Sequence, residues 1–236
     1  MSVTNDINDV DESANGTLSK RERRKAESRE RLMKAASKLF VAHGYHETRP
    51  QDISREAGVG HGTFYLYFSD KRECFQAFVA QTHAEIEALV QPELAKCRNG
   101  AERVYAALKV AMEYSEANPG VLRAAWAGHQ LMSREEGGPA ESIVDHWARG
   151  WAAAVRQAQR SGMAWADYDP EIIGRVILMV TSVVTMPVGG KREDKERYLR
   201  NVTQFVVRAL AAPDCHGKAR IVSGPDADGA IQVEDP

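Results

Sequence analysis

The chain has 236 residues, 43% of them hydrophobic and 27% charged, with a formal net charge of −2. These are the proportions of a globular protein long enough to bury a sizeable core, and they exclude collagenous, wholly disordered and membrane-spanning classes. The charge is unevenly placed, with four acids and no bases in residues 1–16, 13 Lys/Arg against 8 Asp/Glu in residues 17–78, and 18 against 21 in residues 79–236, so that a small basic head joins an acidic body.

Residues 1–18 are polar and acidic and are expected to be a disordered extension. Ser19-Lys20-Arg21-Glu22 fits a capping box, and the sequence then favours helix as far as Gly44. Leu32, Ala35, Ala36, Leu39 and Phe40 recur on one face of that helix. Thr48-Arg49-Pro50-Gln51 reads as a second start, with Thr48 as the cap, and a short helix carrying Ile53 and Ala57 stops at Gly58. His61 to Phe68 is too short to stand alone, but Phe64 and Phe68 share a face that packs on Ile53, Val59 and Leu39. Ser69 or Asp70 caps a longer helix to about Lys96. Five further helices are expected over about 100–117, 119–132, 139–161, 169–186 and 193–211, each break carrying turn or cap chemistry. No segment alternates convincingly with period two, so the fold class is all-α with about nine helices. The division is an N-terminal extension (1–18), a helical head (19–78), a helical body (79–212) and a flexible Gly/Pro/Asp-rich tail (213–236).

No apolar run spans a bilayer: the longest, Val176 to Val188, is about 13 residues. The acidic N-terminus has no apolar segment behind a basic start, so no secretory signal, a cytoplasmic location and no membrane partner are expected. Cys74, Cys97 and Cys215 are odd in number and far apart, and Cys215-His216 lacks partner ligands. Neither a disulfide framework, nor a metal site, nor a cofactor is expected.

The segment Gln51 to Phe68, two short helices about a glycine-containing turn, has the form of a helix-turn-helix whose second helix lies in the major groove of DNA. The string Arg31, Ala35-Ala36, Leu39-Phe40, Gly44-Tyr45, Thr48, Ile53, Ala57-Gly58-Val59, Gly62-Thr63-Phe64-Tyr65, Tyr67-Phe68 and Lys71 resembles the DNA-binding head of the TetR family of repressors. That resemblance covers residues 29–78 in detail and extends to the remainder only in size and helix count. It implies a three-helix, homeodomain-like head and a C-terminal helical domain that dimerises and binds a small-molecule effector. Gly60 departs from it, standing where a serine often caps the recognition helix, as does Arg49, where a small hydroxyl residue is common. By chemistry and matched position, Lys71 and the backbone at the start of its helix are expected to clamp a phosphate, Tyr65 and Tyr67 to donate to phosphates, and Thr63 to touch a phosphate or a thymine methyl. Base reading falls to Arg49, Gln51, His61 and Leu66, with Gly62 permitting close backbone approach and Gly60 leaving the helix cap to backbone or water. Tyr67 reads equally well as packing beside Phe68. The basic run from Lys20 to Arg31 reads either as a phosphate contact or as a solvated helix face.

In the body, Ile173, Val176, Ile177, Val180 and Val184 on one helix and Val202, Phe205 and Val206 on the next are expected to form a two-fold four-helix interface, with a simple domain core as the other reading. Tyr105, Met112, Trp126, His129, Met132, Trp147 and Trp151 suit an apolar pocket with polar anchors, and ordinary packing explains them as well. The function expected is a sequence-specific, ligand-released repressor binding a palindromic operator as a homodimer. A nonspecific chromosome-packaging protein would be basic throughout, unlike this body, and no phosphate loop, nucleophile elbow or metal-ligand spacing supports an enzyme.

Overall fold

The computed structural model describes residues 19–132, 143–182 and 192–212, together with the backbone of two strands at 220–225 and 231–234. The expectation for residues 1–18 lies outside this range. Among the described residues there are nine helices, and the expected ranges hold to within a few residues.

Helix α1 (Lys20–Glu47) begins with the expected box: the Ser19 hydroxyl accepts from Glu22 N–H and the Glu22 carboxylate accepts from Ser19 N–H. Gly44, at φ 78°, breaks the helix inside its last turn, a left-handed conformation that costs glycine little. Thr48 is not the cap of α2 (Pro50–Glu56): its buried hydroxyl donates back to the Gly44 carbonyl at 2.7 Å, closing α1. Arg49 takes the cap position without a side-chain bond.

Helix α2 ends in a paired C-terminal motif, in which Val59 N–H reaches Ser54 O at 3.0 Å and Gly58 N–H reaches Arg55 O at 3.1 Å. The left-handed φ of 66° at Gly58 makes both bonds possible. α3 (His61–Phe64) is a single turn capped by Gly60 without a side chain, continued by turns through Phe68. α4 (Lys71–Lys96) starts at Asp70, whose carboxylate accepts from Glu73 N–H at 2.8 Å.

The body consists of α5 (Gly100–Ala117), α6 (Val121–Met132), α7 (Ile143–Arg160), α8 (Pro170–Thr181) and α9 (Arg192–Leu210). α7 and α8 pack so closely that a Cβ on Gly174 would lie 2.4 Å from the Ala148 carbonyl oxygen. Small residues on facing helices set that separation.

One aromatic core, with Phe40, Phe64, Phe68, Phe75 and Phe78, unites α1 to α4. It also takes in Ala125 of α6, with Val121 and Ala124 packed against it. A Cβ on Gly128 would meet the Phe75 ring at 2.2 Å, so α6 lies directly on the head. The body thus touches the head through α6 as well as through the continuous α4.

The tail departs from expectation. Strands β1 (Arg220–Pro225) and β2 (Ile231–Glu234) pair antiparallel, Ile221 opposite Val233, with an irregular register before Pro225. The Ile and Val of this segment favour strand, and the Gly, Pro and Asp around them hid a signal only a few residues long.

Candidate nucleic-acid interface and internal cavity

The orientation of α3 follows from its two phenylalanines. Phe64 is 0% exposed and Phe68 is buried beside it at 5.5 Å between ring centroids, both in the core with Ile53 and Ala57. With that side anchored, the other faces solvent: His61, Gly62, Tyr65 and Leu66 are exposed, Leu66 at 75%, and Thr63 is half-buried. The His61 and Tyr65 rings meet edge to face at 5.2 Å, so they form one outward ridge. Arg49, Gln51 and Gly60, at the starts of α2 and α3, are exposed too. Tyr67 is half-buried and packs against the core.

Lys71 has a different setting from the one expected. Its ammonium donates to the carbonyls of Tyr45 at 2.9 Å and His46 at 3.1 Å and lies 4.4 Å from the Tyr45 ring centroid. A cation at the C-terminal carbonyls of α1 complements the helix dipole and ties α4 to α1. Lys71→Met is therefore expected to lower stability by about 1–2 kcal/mol, the low end for bonds to a half-buried charged group. The midpoint of chemical unfolding measures this, and an unchanged midpoint would show that the tie contributes nothing.

Behind the head a cavity of about 1350 Å³ lies among α4 to α8 and reaches Lys195 of α9. Three indoles, Trp126, Trp147 and Trp151, share its wall with Met112, and Glu87, Glu116, Arg103 and Arg123 contribute charge. Leu122, Arg123, Trp126 and Ala127 bring α6 into this wall, while the other side of α6 packs on the head core. At the boundary of α4 and α5, Tyr114 O–H donates to the Glu85 carboxylate at 2.7 Å, and burial together with that carboxylate holds the phenol protonated. His83 is pushed below the usual imidazole range by burial and by neighbouring His146. Burial raises the Cys74 thiol to about 12, which leaves it inert.

Comparison with known proteins bears on the head first. Residues 32–78 match the family model for bacterial regulatory proteins of the tetR family. The head is thus similar to the DNA-binding region of that family. Over 86 residues it is 37% identical to the HTH-type transcriptional regulator SrpR of Pseudomonas putida, covering 36% of this chain and 38% of that protein. Over 65 residues it is 35% identical to the HTH-type regulator YdgC of Bacillus subtilis, covering 28% and 33%. The matches thus span only about a third of the length of these curated relatives.

The fold match is longer. A putative tetR family transcription regulator from Shewanella sp. PV-4 superposes with a TM-score of 0.62 at 23% identity, over 78% of this chain and 98% of that one. The ketosteroid transcriptional regulator KstR2 of Mycobacterium tuberculosis gives 0.57 at 20% identity, over 84% and 98%.

In this fold the residues expected to line the pocket and the dimer face divide. Met112, Trp126, Trp147 and Trp151 line the cavity, whereas Tyr105 is buried in a separate cluster with Leu108 and Leu199. The side chains of His129 and Met132 lie outside the described set. On α8 and α9, Ile177 and Val206 leave the candidate dimer face, because both are buried with Val155 inside one chain, and Ile173 and Val180 pack beside them. Val176 and Phe205 remain exposed at 49% and 61%, joined by Ile172 and Met179. Val202 packs inward near Tyr105, and Val184 falls outside the described residues. His83, Glu87 and His146 were missed as cavity residues. Only the four-residue spacing of His83 and Glu87 was visible in the sequence, and nothing there pairs α4 with α7.

Proposed function

We propose that this chain is a transcriptional regulator of the TetR family that binds a two-fold operator as a homodimer and is released by a small molecule held in the body cavity. The observation that carries this reading is the orientation of α3, polar side outward and phenylalanines locked behind it. Arg49, Gln51, His61 and Leu66 then meet base edges, and Thr63, Tyr65 and Tyr67 meet phosphates and thymine methyls. Lys71 holds the start of α4 in place, next to whichever phosphate the loop approaches.

One head offers few contacts, and a dimer reading two half-sites supplies the rest. The exposed apolar residues Ile172, Val176 and Met179, at helical spacing on α8, together with Phe205 on α9, support that pairing. Release follows from the position of α6, which lines the cavity on one side and presses on Phe75 and the head core on the other. A ligand that prefers one setting of α6 shifts the head by its differential affinity. The mixed aromatic and charged wall suits a ligand with an apolar body and a few polar groups.

Gel shifts with competing duplexes at stated salt test the reading, since a regulator discriminates while equal binding to every duplex sinks it. In the same assay Gln51→Ala is expected to relax preference at one base pair per half-site, a loss of about 1–3 kcal/mol of discrimination. A selection profile identical to that of the parent protein removes Gln51 from base reading.

A further inference from the structure

Three ligand-type side chains converge at one edge of the cavity wall. His83 and Glu87 stand four residues apart on one face of α4, with His83 Nδ1 3.6 Å from Glu87 Oε2. From α7, His146 brings its ring to 4.4 Å from that of His83, edge to face. One ligand atom from each of the three lies within 4.8 Å of the other two. Two ligands on a tetrahedral ion with bonds of about 2.1 Å stand about 3.4 Å apart, so modest side-chain rotations close the site. Glu87 and His146 are exposed and have room for such rotations, whereas His83 is held beside Trp147.

We propose that His83, Glu87 and His146 bind a divalent first-row transition-metal ion, Zn²⁺ by donor type, between α4 and α7. Two imidazoles and one carboxylate match the borderline character of such ions and do not suit Ca²⁺ or Mg²⁺, which take oxygen ligands. Three protein ligands leave a coordination position open, and all three residues line the cavity, so that position is available to water or to a chelating group of a cavity ligand. Arg149 approaches His146 Nδ1 at 3.2 Å, and an ion taking that nitrogen displaces the guanidinium. The bound ion cross-links the helix that carries the head to a helix of the body.

The test is metal binding by the full chain, independent of any DNA assay. After removal of metals with a chelator, Co²⁺ titration is expected to saturate at one ion per chain with a visible ligand-field spectrum, and Zn²⁺ is expected to displace it. His146→Ala and Glu87→Gln change exposed side chains; each is expected to weaken Zn²⁺ binding by about tenfold or more while the circular dichroism of the apo protein stays the same. Cys215→Ser combined with His216→Ala is expected to leave the affinity as it was. Absence of stoichiometric Co²⁺ binding, affinity indifferent to both His146→Ala and Glu87→Gln, or affinity lost on changing Cys215 and His216 would each overturn the site.

Discussion

Phe64→Ala is expected to unfold the head at ordinary temperature and abolish binding to every duplex. The ring is fully buried between Ile53, Phe68 and the core of α1, and truncating such a phenylalanine costs about 3–5 kcal/mol in lost burial and residual cavity. That is a large part of the total stability of a small domain. Phe64→Leu keeps most of the volume and should cost under about 1.5 kcal/mol, so DNA binding survives it. The adjacent Tyr65 provides the contrast. Its ring is half exposed, so Tyr65→Ala should shift stability by only about 0.5 kcal/mol while weakening DNA binding. Denaturant unfolding and gel shifts on the three variants separate these roles. If Tyr65→Ala destabilised as much as Phe64→Ala, the orientation of α3 would be wrong.

The double substitution Val176→Asp with Phe205→Asp is expected to give a folded monomer. Both side chains are exposed in one chain, so charge there disturbs no internal packing, yet in a dimer it would place carboxylates in an apolar contact. Sedimentation or light scattering should show the mass halved relative to the parent protein. Operator affinity should fall by about 10²–10⁴, because the second head no longer binds as part of the same particle. Val206→Asp serves as the counterpart. Val206 is buried with Val155 and Ile177, so its substitution should destabilise the subunit itself. A double variant that kept the parent mass would remove this face from the interface.

The head was legible because its signals are local. The Ser19–Glu22 box, the stop at Gly58 and the three-and-four spacing of Leu32, Ala36 and Phe40 each depend on residues within one or two turns. Local chemistry also misled where two nearby groups competed. Thr48 reads as a cap for α2, but its hydroxyl found the Gly44 carbonyl one turn back. Lys71, read as a phosphate ligand by position, also meets two carbonyls at the end of α1 that its local sequence does not show. On α8 the sequence showed apolar residues nearly all round. Only packing separated Ile177, which α7 and α9 cover, from Val176, which they leave bare.

What the sequence alone determined was the presence of a helical body and a head whose short third helix turns a polar side outward, since hydrophobic spacing and cap chemistry depend on near neighbours. Tertiary structure decided which tryptophans share a cavity, which apolar side chains of α8 and α9 remain exposed, and that His146 meets His83. Those outcomes depend on the rotation and separation of helices far apart in the chain, which small residues such as Gly128 and Gly174 set by letting backbones and rings approach closely.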